Sequence, residues 1–421
     1  MGGEGSWRRR TSQTSAQIAV PLIYFGFPMS QAIPGIDRLL TDHTHLIRGR
    51  RIGLLCNQAT VTTSFVPLLD ALLSRSRELE CEVVAVFGPQ HGIWGHTQDN
   101  MIEWEGYSDP RTGLPFYSLY GERREPQPNW LEGIDLFVAD LPDIGSRYYT
   151  FIWTLGLCMR ACERADIPVL VLDRPNPIGG ARAEGFVLNP EFSSFVGLHP
   201  MPQRHGMTLG EIAQMFFQTG FARPELEVLR VVGWDRADFL DRTGIPWVMP
   251  SPNMPCLETA LVYPGACLIE GTLLSEGRGT TRPFEIVGAP YIDGWRLAET
   301  LNRIGLPGVV FRPYQFLPTF QKHHDKVCQG VFTHVTDRQA FRPVLTTAAL
   351  LLEVAQAYPD DFGWLPPPYE YEAEKMPIDI LAGHSFLREA VEGRGNLKAV
   401  QERMDEECEA FEPLRNAARL Y

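Results

Sequence analysis

The sequence predicts an α/β protein: a doubly wound parallel sheet followed by a smaller α+β domain. Two observations carry that expectation. Four short, continuously apolar runs, 51–57, 82–89, 134–142 and 167–175, lie in the first half of the chain. Stretches suited to helices fall among them, as buried parallel strands require. The 421 residues are enough for two domains, each with a sizeable core.

The elements follow in order. "RIGLLCN" (51–57) reads as a first strand, and residues 66–80 place apolar side chains at helical spacing behind it. "EVVAVFGP" (82–89) and "IDLFVADLP" (134–142) read as second and third strands. A helix is expected from about 150 to 165, then a fourth strand, "IPVLVLDRP" (167–175). From about residue 206 the pattern changes. Thr208 is a helix N-cap candidate with Glu211 three residues later, as in a capping box. "LEVLRVV" (226–232) reads as a strand of this second region, 295–304 and 344–357 as helices, and 364–377 as an extended loop. The expected organisation is a leader over 1–32, a Rossmann-like domain over 33–195 and the auxiliary domain over 196–421.

Charge narrows the partners. With 38 Lys+Arg against 51 Asp+Glu, the net charge is −13. Nucleic acid and anionic lipid both call for a basic surface; a small molecule or oligosaccharide does not. No segment carries 18 uninterrupted apolar residues, so no membrane span is expected. Eight scattered cysteines without a CxxC pair read as buried thiols in a reducing, cytoplasmic setting. The N-terminal arginines Arg8, Arg9 and Arg10, followed at a distance by the apolar run 18–29, leave export as the alternative.

Ligands of open parallel sheets bind beyond the carboxyl ends of the strands. Those ends deliver Asn57; Gln90 and His91; Asp140, Asp143, Arg147, Tyr148 and Tyr149; and Asp173, Arg174 and Asn176. There is no GxGxxG after the first strand, no phosphate-binding GxxxxGK[ST] and no GxSxG elbow. Amides, guanidinium groups, carboxylates and aromatic rings together suit a sugar. His91 could polarise a substrate or cap a turn. Asp140 and Asp143 could supply a base or close a loop. At most one of Tyr148 and Tyr149 faces the cleft if that segment is extended. Asn253, Glu276 and Arg278, in the polar loops 251–255 and 275–281, are candidates to close the cleft from the second domain. Adjacent His323 and His324 read as a solvated turn rather than a metal site.

Long motifs then carry a family resemblance. "FGPQHGIWG" (87–95), "LPDIGSRYYTFIWTL" (141–155), "LDRPNPIGG" (172–180), "FVGLHPMPQRHGMTLGEIA" (195–213), "PWVMPSPNMPCLETALVYPG" (246–265) and "EGTLLSEGRGTTRPFEIVGAP" (270–290) appear in that order. Together they resemble the NamZ-type exo-β-N-acetylmuramidases, over roughly residues 33–410. The resemblance implies a Rossmann-like catalytic domain and an auxiliary C-terminal domain with the active site in the cleft between them, and release of non-reducing terminal N-acetylmuramic acid from peptidoglycan fragments, without metal or cofactor. Arg147 is then the natural partner for the lactyl carboxylate, unless it pairs with Asp143 or Asp173; Arg174 and Arg278 are further cationic candidates. One of Tyr148 and Tyr149 would assist proton transfer or stack on the sugar.

The resemblance breaks at one position. Family members usually read Gly-Pro-Glu-His-Gly, with the glutamate as the favoured acid; here that position is Gln90. An amide cannot donate a proton as a carboxylic acid does, and glycoside hydrolysis normally uses two carboxyl groups. Glu103 is the expected substitute, with Asp99 and Glu105 beside it in sequence. Glu270, Glu276 and Glu285 are further carboxyls. The alternatives are action on another amino sugar or glycoside, or carbohydrate binding without catalysis.

Overall fold

The structure, a computed structural model, describes residues 31–98, 101–393 and 395–421. The expected leader, apart from its last two residues, and Asp99 lie outside the described residues.

A seven-stranded sheet organises the first part of the chain. Its strands are β1 (Arg51–Leu55), β2 (Glu82–Gly88), β3 (Tyr107–Ser108), β4 (Pro115–Ser118), β5 (Leu136–Ala139), β6 (Val169–Leu172) and β7 (Leu226–Leu229). The order is β3-β4-β2-β1-β5-β6-β7, parallel throughout except for the β3–β4 pair. All residues of β5 and β6, and all but the first of β1, are buried, which explains their unbroken apolar runs. The chain builds outward from β1 in one direction through β2 and β4, then in the other through β5, β6 and β7. That reversal puts a switch point at the carboxyl ends of β1 and β5.

The four strands read from sequence are β1, β2, β5 and β6. The helix expected from about 150 is Phe151–Ala165, with an almost wholly buried first half. Thr208 and Glu211 form the capping box at the start of Leu209–Thr219: Glu211 N donates to Thr208 Oγ1 at 3.2 Å and Thr208 N to Glu211 Oε2 at 3.0 Å.

The expected boundary at 195 is corrected. β7 adds to the edge of the first sheet beside β6, so the first sheet takes in residues up to Leu229. A strand at a sheet edge needs only one neighbour, and its periodicity does not name which. The second unit holds an antiparallel sheet of β8 (Ile286–Ala289), β9 (Val309–Phe316) and β10 (Cys328–Val335), in the order β8-β10-β9. Helices Leu257–Ala266 and Gly294–Ile304 pack on it, and Pro343–Ala357 packs against those two helices. The last helix, Leu397–Ala417, returns to the first unit: buried Arg415 donates to the carbonyl oxygens of Gly180 and Gly206. One hydrophobic core runs through both units.

Candidate active site

Beyond the end of β2 and the start of the helix Phe151–Ala165 lies a small cavity. The first unit contributes Gln90, His91, Tyr148, Tyr149 and Thr150; the second contributes Asn253, Glu270, Arg278, Tyr369 and Glu370. Aromatic edges shape the walls, with Tyr263 meeting both Tyr148 and Tyr149 nearly at right angles. Such walls present flat faces and exclude water.

The polar groups are held in defined states. Gln90 is buried, and its Oε1 accepts from Thr150 Oγ1 at 2.8 Å. Its amide nitrogen can donate a hydrogen bond but cannot release a proton. His91 has a left-handed backbone (φ 70°), and its Nδ1 lies 2.8 Å from the Thr97 carbonyl oxygen. A carbonyl only accepts, so Nδ1 carries the hydrogen and Nε2 keeps its lone pair. Burial pushes the imidazole down to about 4, so it is neutral at pH 7.

Two buried carboxyls of the second unit differ in charge. Glu270 Oε1 accepts from Arg278 at 2.7 Å and its Oε2 from the Tyr369 hydroxyl at 2.6 Å. Burial opposes ionisation there, yet the Arg278 charge and these hydrogen bonds hold Glu270 below the usual glutamate range. Arg278 Nε also lies 3.3 Å from Glu276, which Lys322 Nζ approaches to 2.7 Å. Glu370 is 3% exposed and accepts from the Tyr120 hydroxyl at 3.1 Å. Burial first, and the Glu270 charge second, push it up to about 7. One carboxyl is thus ionised while the other keeps its proton in about half of the molecules at pH 7, the division that acid–base chemistry requires.

Of the residues anticipated from sequence, Gln90, His91, Tyr148, Tyr149, Asn253, Glu270 and Arg278 line this cavity, with Glu276 paired to Arg278. Both tyrosines line it because residues 147–150 form a turn, not the extended segment that would alternate their directions. Asn253 Nδ2 donates to the Gln98 carbonyl oxygen at 2.8 Å, tying the 251–255 loop to the loop after His91. The tight loop around Gly279 serves the fold: a Cβ there would lie 2.7 Å from the backbone nitrogens of Thr319 and Phe320.

Other expectations are corrected. Glu103 is exposed outside the cavity, because its neighbour Trp104 takes the inward place and donates to the Pro89 carbonyl oxygen at 3.1 Å. Arg147 is wholly buried and spends its guanidinium on the carbonyl oxygens of Phe186, Met201 and Leu381. Asp140 is wholly buried against Arg174, which donates to its Oδ2 at 2.8 Å. Asp173 accepts from Thr208 Oγ1, Gly210 N and the Tyr421 hydroxyl. Asn176 bonds backbone of Met207 and Ile178, and Asn57 donates to the Pro250 carbonyl oxygen. These side chains lock strand ends to neighbouring loops. Glu285 accepts from Thr259 Oγ1 at 2.7 Å, away from the cavity.

Asp143 and Arg174 line a second small cavity at the switch point. Its walls are largely Pro142, Pro175, Pro177, Trp247 and Pro250. Asp143 Oδ2 accepts from Gly145 N at 2.8 Å and lies 3.2 Å from His205 Nε2. Without a second titratable carboxyl, this apolar pocket is the poorer place for hydrolysis. Among the described residues no group of three His, Cys, Asp or Glu side chains is gathered as a metal ion needs, and His323 instead approaches the Leu273 carbonyl oxygen with Nε2 at 2.8 Å.

Glu370, Tyr369 and Thr150 were not anticipated. Thr150 sits beside two tyrosines that were. Glu370 lies within the proline-rich 364–377 stretch, where no periodicity marks a direction.

Comparison with known proteins agrees along nearly the whole chain. Residues 52–258 match the N-terminal model, and residues 261–421 the C-terminal model, of exo-β-N-acetylmuramidase NamZ. The chain is 41% identical over 387 residues to the peptidoglycan β-N-acetylmuramidase NamZ of Bacillus subtilis strain 168, covering 92% of this chain and 91% of that protein. A solved DUF1343 family protein from Bacteroides fragilis NCTC 9343 superposes with a TM-score of 0.82 at 32% identity, over 94% of this chain and all of the other. A second protein of that family and organism gives 0.72 at 25% identity, over 93% and 99%. The sheet, the second unit that closes over it and these matches together place the chain in the exo-β-N-acetylmuramidase NamZ family of glycoside hydrolases.

Proposed function

We propose that this protein hydrolyses the glycosidic bond of a non-reducing terminal N-acetylmuramic acid in peptidoglycan fragments. The observation that carries the reading is the cavity where two buried carboxyls, Glu270 and Glu370, stand among aromatic walls in a chain of this family. Of the three arginines considered for the lactyl carboxylate, Arg278 alone lines this cavity. No described helix is long and apolar enough to cross a membrane. The eight thiols are all free, which favours a reducing compartment and the recycling of fragments.

The test compares turnover of chromogenic β-glycosides of N-acetylmuramic acid and N-acetylglucosamine. Preference for the muramic acid glycoside supports the reading. Preference for the glucosamine glycoside assigns another sugar. Gln90 favours a second reading, binding alone, and saturable binding of either sugar without turnover would establish it.

A further inference from the structure

Resting on that hydrolase reading, we infer that Glu370 is the proton donor to the departing glycosidic oxygen, the part that Gln90 cannot play. The argument begins with backbone. Tyr369 N donates to the Glu372 carbonyl oxygen and Glu372 N to that of Tyr369, both at 2.9 Å. This closes a two-residue turn with Glu370 (φ 45°) and Tyr371 (φ 68°) at its centre. Left-handed positions of this kind belong by preference to glycine and asparagine. Neither occupies them here. Tertiary contacts hold the turn: Tyr369 donates to Glu270, Glu370 accepts from Tyr120, and Tyr371 donates to Glu103 at 2.9 Å. Backbone strain held in place by side chains is a mark of functional sites.

The turn makes Glu370 one of the residues that line the cavity together with Gln90 and His91. Among the buried carboxyls considered, Glu276 is held by Arg278 and Lys322, and Glu285 lies outside the cavity. Glu270 lines the cavity but is ion-paired with Arg278 and belongs to the ionised role. Glu370 alone combines a place in the cavity with a surrounding that favours the protonated form. As the bond from C1 to the glycosidic oxygen breaks, its electron pair goes to that oxygen, which takes the Glu370 proton. Water then supplies hydroxide to C1, and its remaining proton restores Glu370.

The test measures E370Q against the wild-type enzyme on two muramic acid glycosides, one with a dinitrophenyl leaving group and one with a poorly departing alkyl or sugar group. A dinitrophenolate leaves without protonation. The expected result is a loss of about 100-fold or more on the poor leaving group, a much smaller loss on the dinitrophenyl glycoside, and disappearance of the fall in rate above about pH 7. Equal losses on both substrates with the pH limb retained would assign Glu370 a structural role, and unchanged rates would remove it from the reaction. Either outcome overturns the inference while leaving the hydrolase reading intact. A wild-type enzyme that cleaves neither substrate overturns both.

Discussion

The Tyr371 hydroxyl donates to Glu103 Oε1 at 2.9 Å, joining an exposed loop of the first unit to the turn that carries Glu370. The Arg124 guanidinium stacks 4.0 Å above the same tyrosine ring. Glu103 therefore acts on the cavity through Tyr371. Replacement by glutamine keeps an acceptor in place, so E103Q should retain turnover within a few-fold, with the basic limb of the pH profile unmoved. E103A, which releases Tyr371, should lower turnover further by loosening the turn. A loss in E103Q as large as in E370Q, measured on the poor leaving group, would return the acid role to Glu103.

Glu370 also predicts a pH-dependent stability. The folded carboxyl keeps its proton up to about pH 7, whereas an unfolded glutamate loses it near 4.5. Between those values the folded state binds more protons, so stability is fully present below about 4.5 and declines as pH rises through about 7. A rise of that size corresponds to about 3 kcal/mol. Glutamine has no proton to lose. Denaturant unfolding should find E370Q close to wild type at pH 4 and more stable by up to about 3 kcal/mol at pH 8. A difference independent of pH would show that the carboxyl is not protonated in the folded protein.

Arg147 separates a structural arginine from a ligand-binding one. Its guanidinium is buried by the fold and gathers carbonyl oxygens from residues 186, 201 and 381, segments far apart in sequence. Burial alone brings its pKa down to about 10. In R147M those buried carbonyls lose their donor, at a cost of about 3 kcal/mol or more. Chemical denaturation should show that loss, while KM for the muramic acid glycoside stays constant for the folded enzyme. A raised KM at unchanged stability would instead make Arg147 a substrate contact.

The same contrast explains what could be read in the chain. Strands β1, β2, β5 and β6 were legible because burial on both faces leaves unbroken apolar runs. Gln90 and His91 were legible because the sheet's topology sends the end of β2 to a cleft. Asp140, Asp173 and Asn176 sit at equivalent strand ends, yet they cap loops and pair with neighbours; a polar residue type does not reveal whether its partner is protein or ligand. Glu370 was hidden for the opposite reason. Its place depends on contacts with Tyr120, 250 positions earlier, and on a turn whose sequence lacks the usual turn residues.

Arg278 sets the charge of the ionised carboxyl. Burial raises the Glu270 pKa, and the Arg278 charge is the foremost influence that brings it below the ordinary value. In R278M that influence is gone, burial prevails, and Glu270 titrates at higher pH. Hydrolysis needs one carboxyl ionised while the other gives up its proton. The acidic limb of kcat against pH, below about 4.5 in the wild-type enzyme, should therefore move upward in R278M and narrow the range of activity from the acid side. A pure substrate contact behaves differently: it raises KM and leaves the acidic limb of kcat where it was. Measuring kcat and KM separately across pH 4 to 8 distinguishes the two, and an unmoved limb would place Arg278 in recognition of the lactyl carboxylate alone.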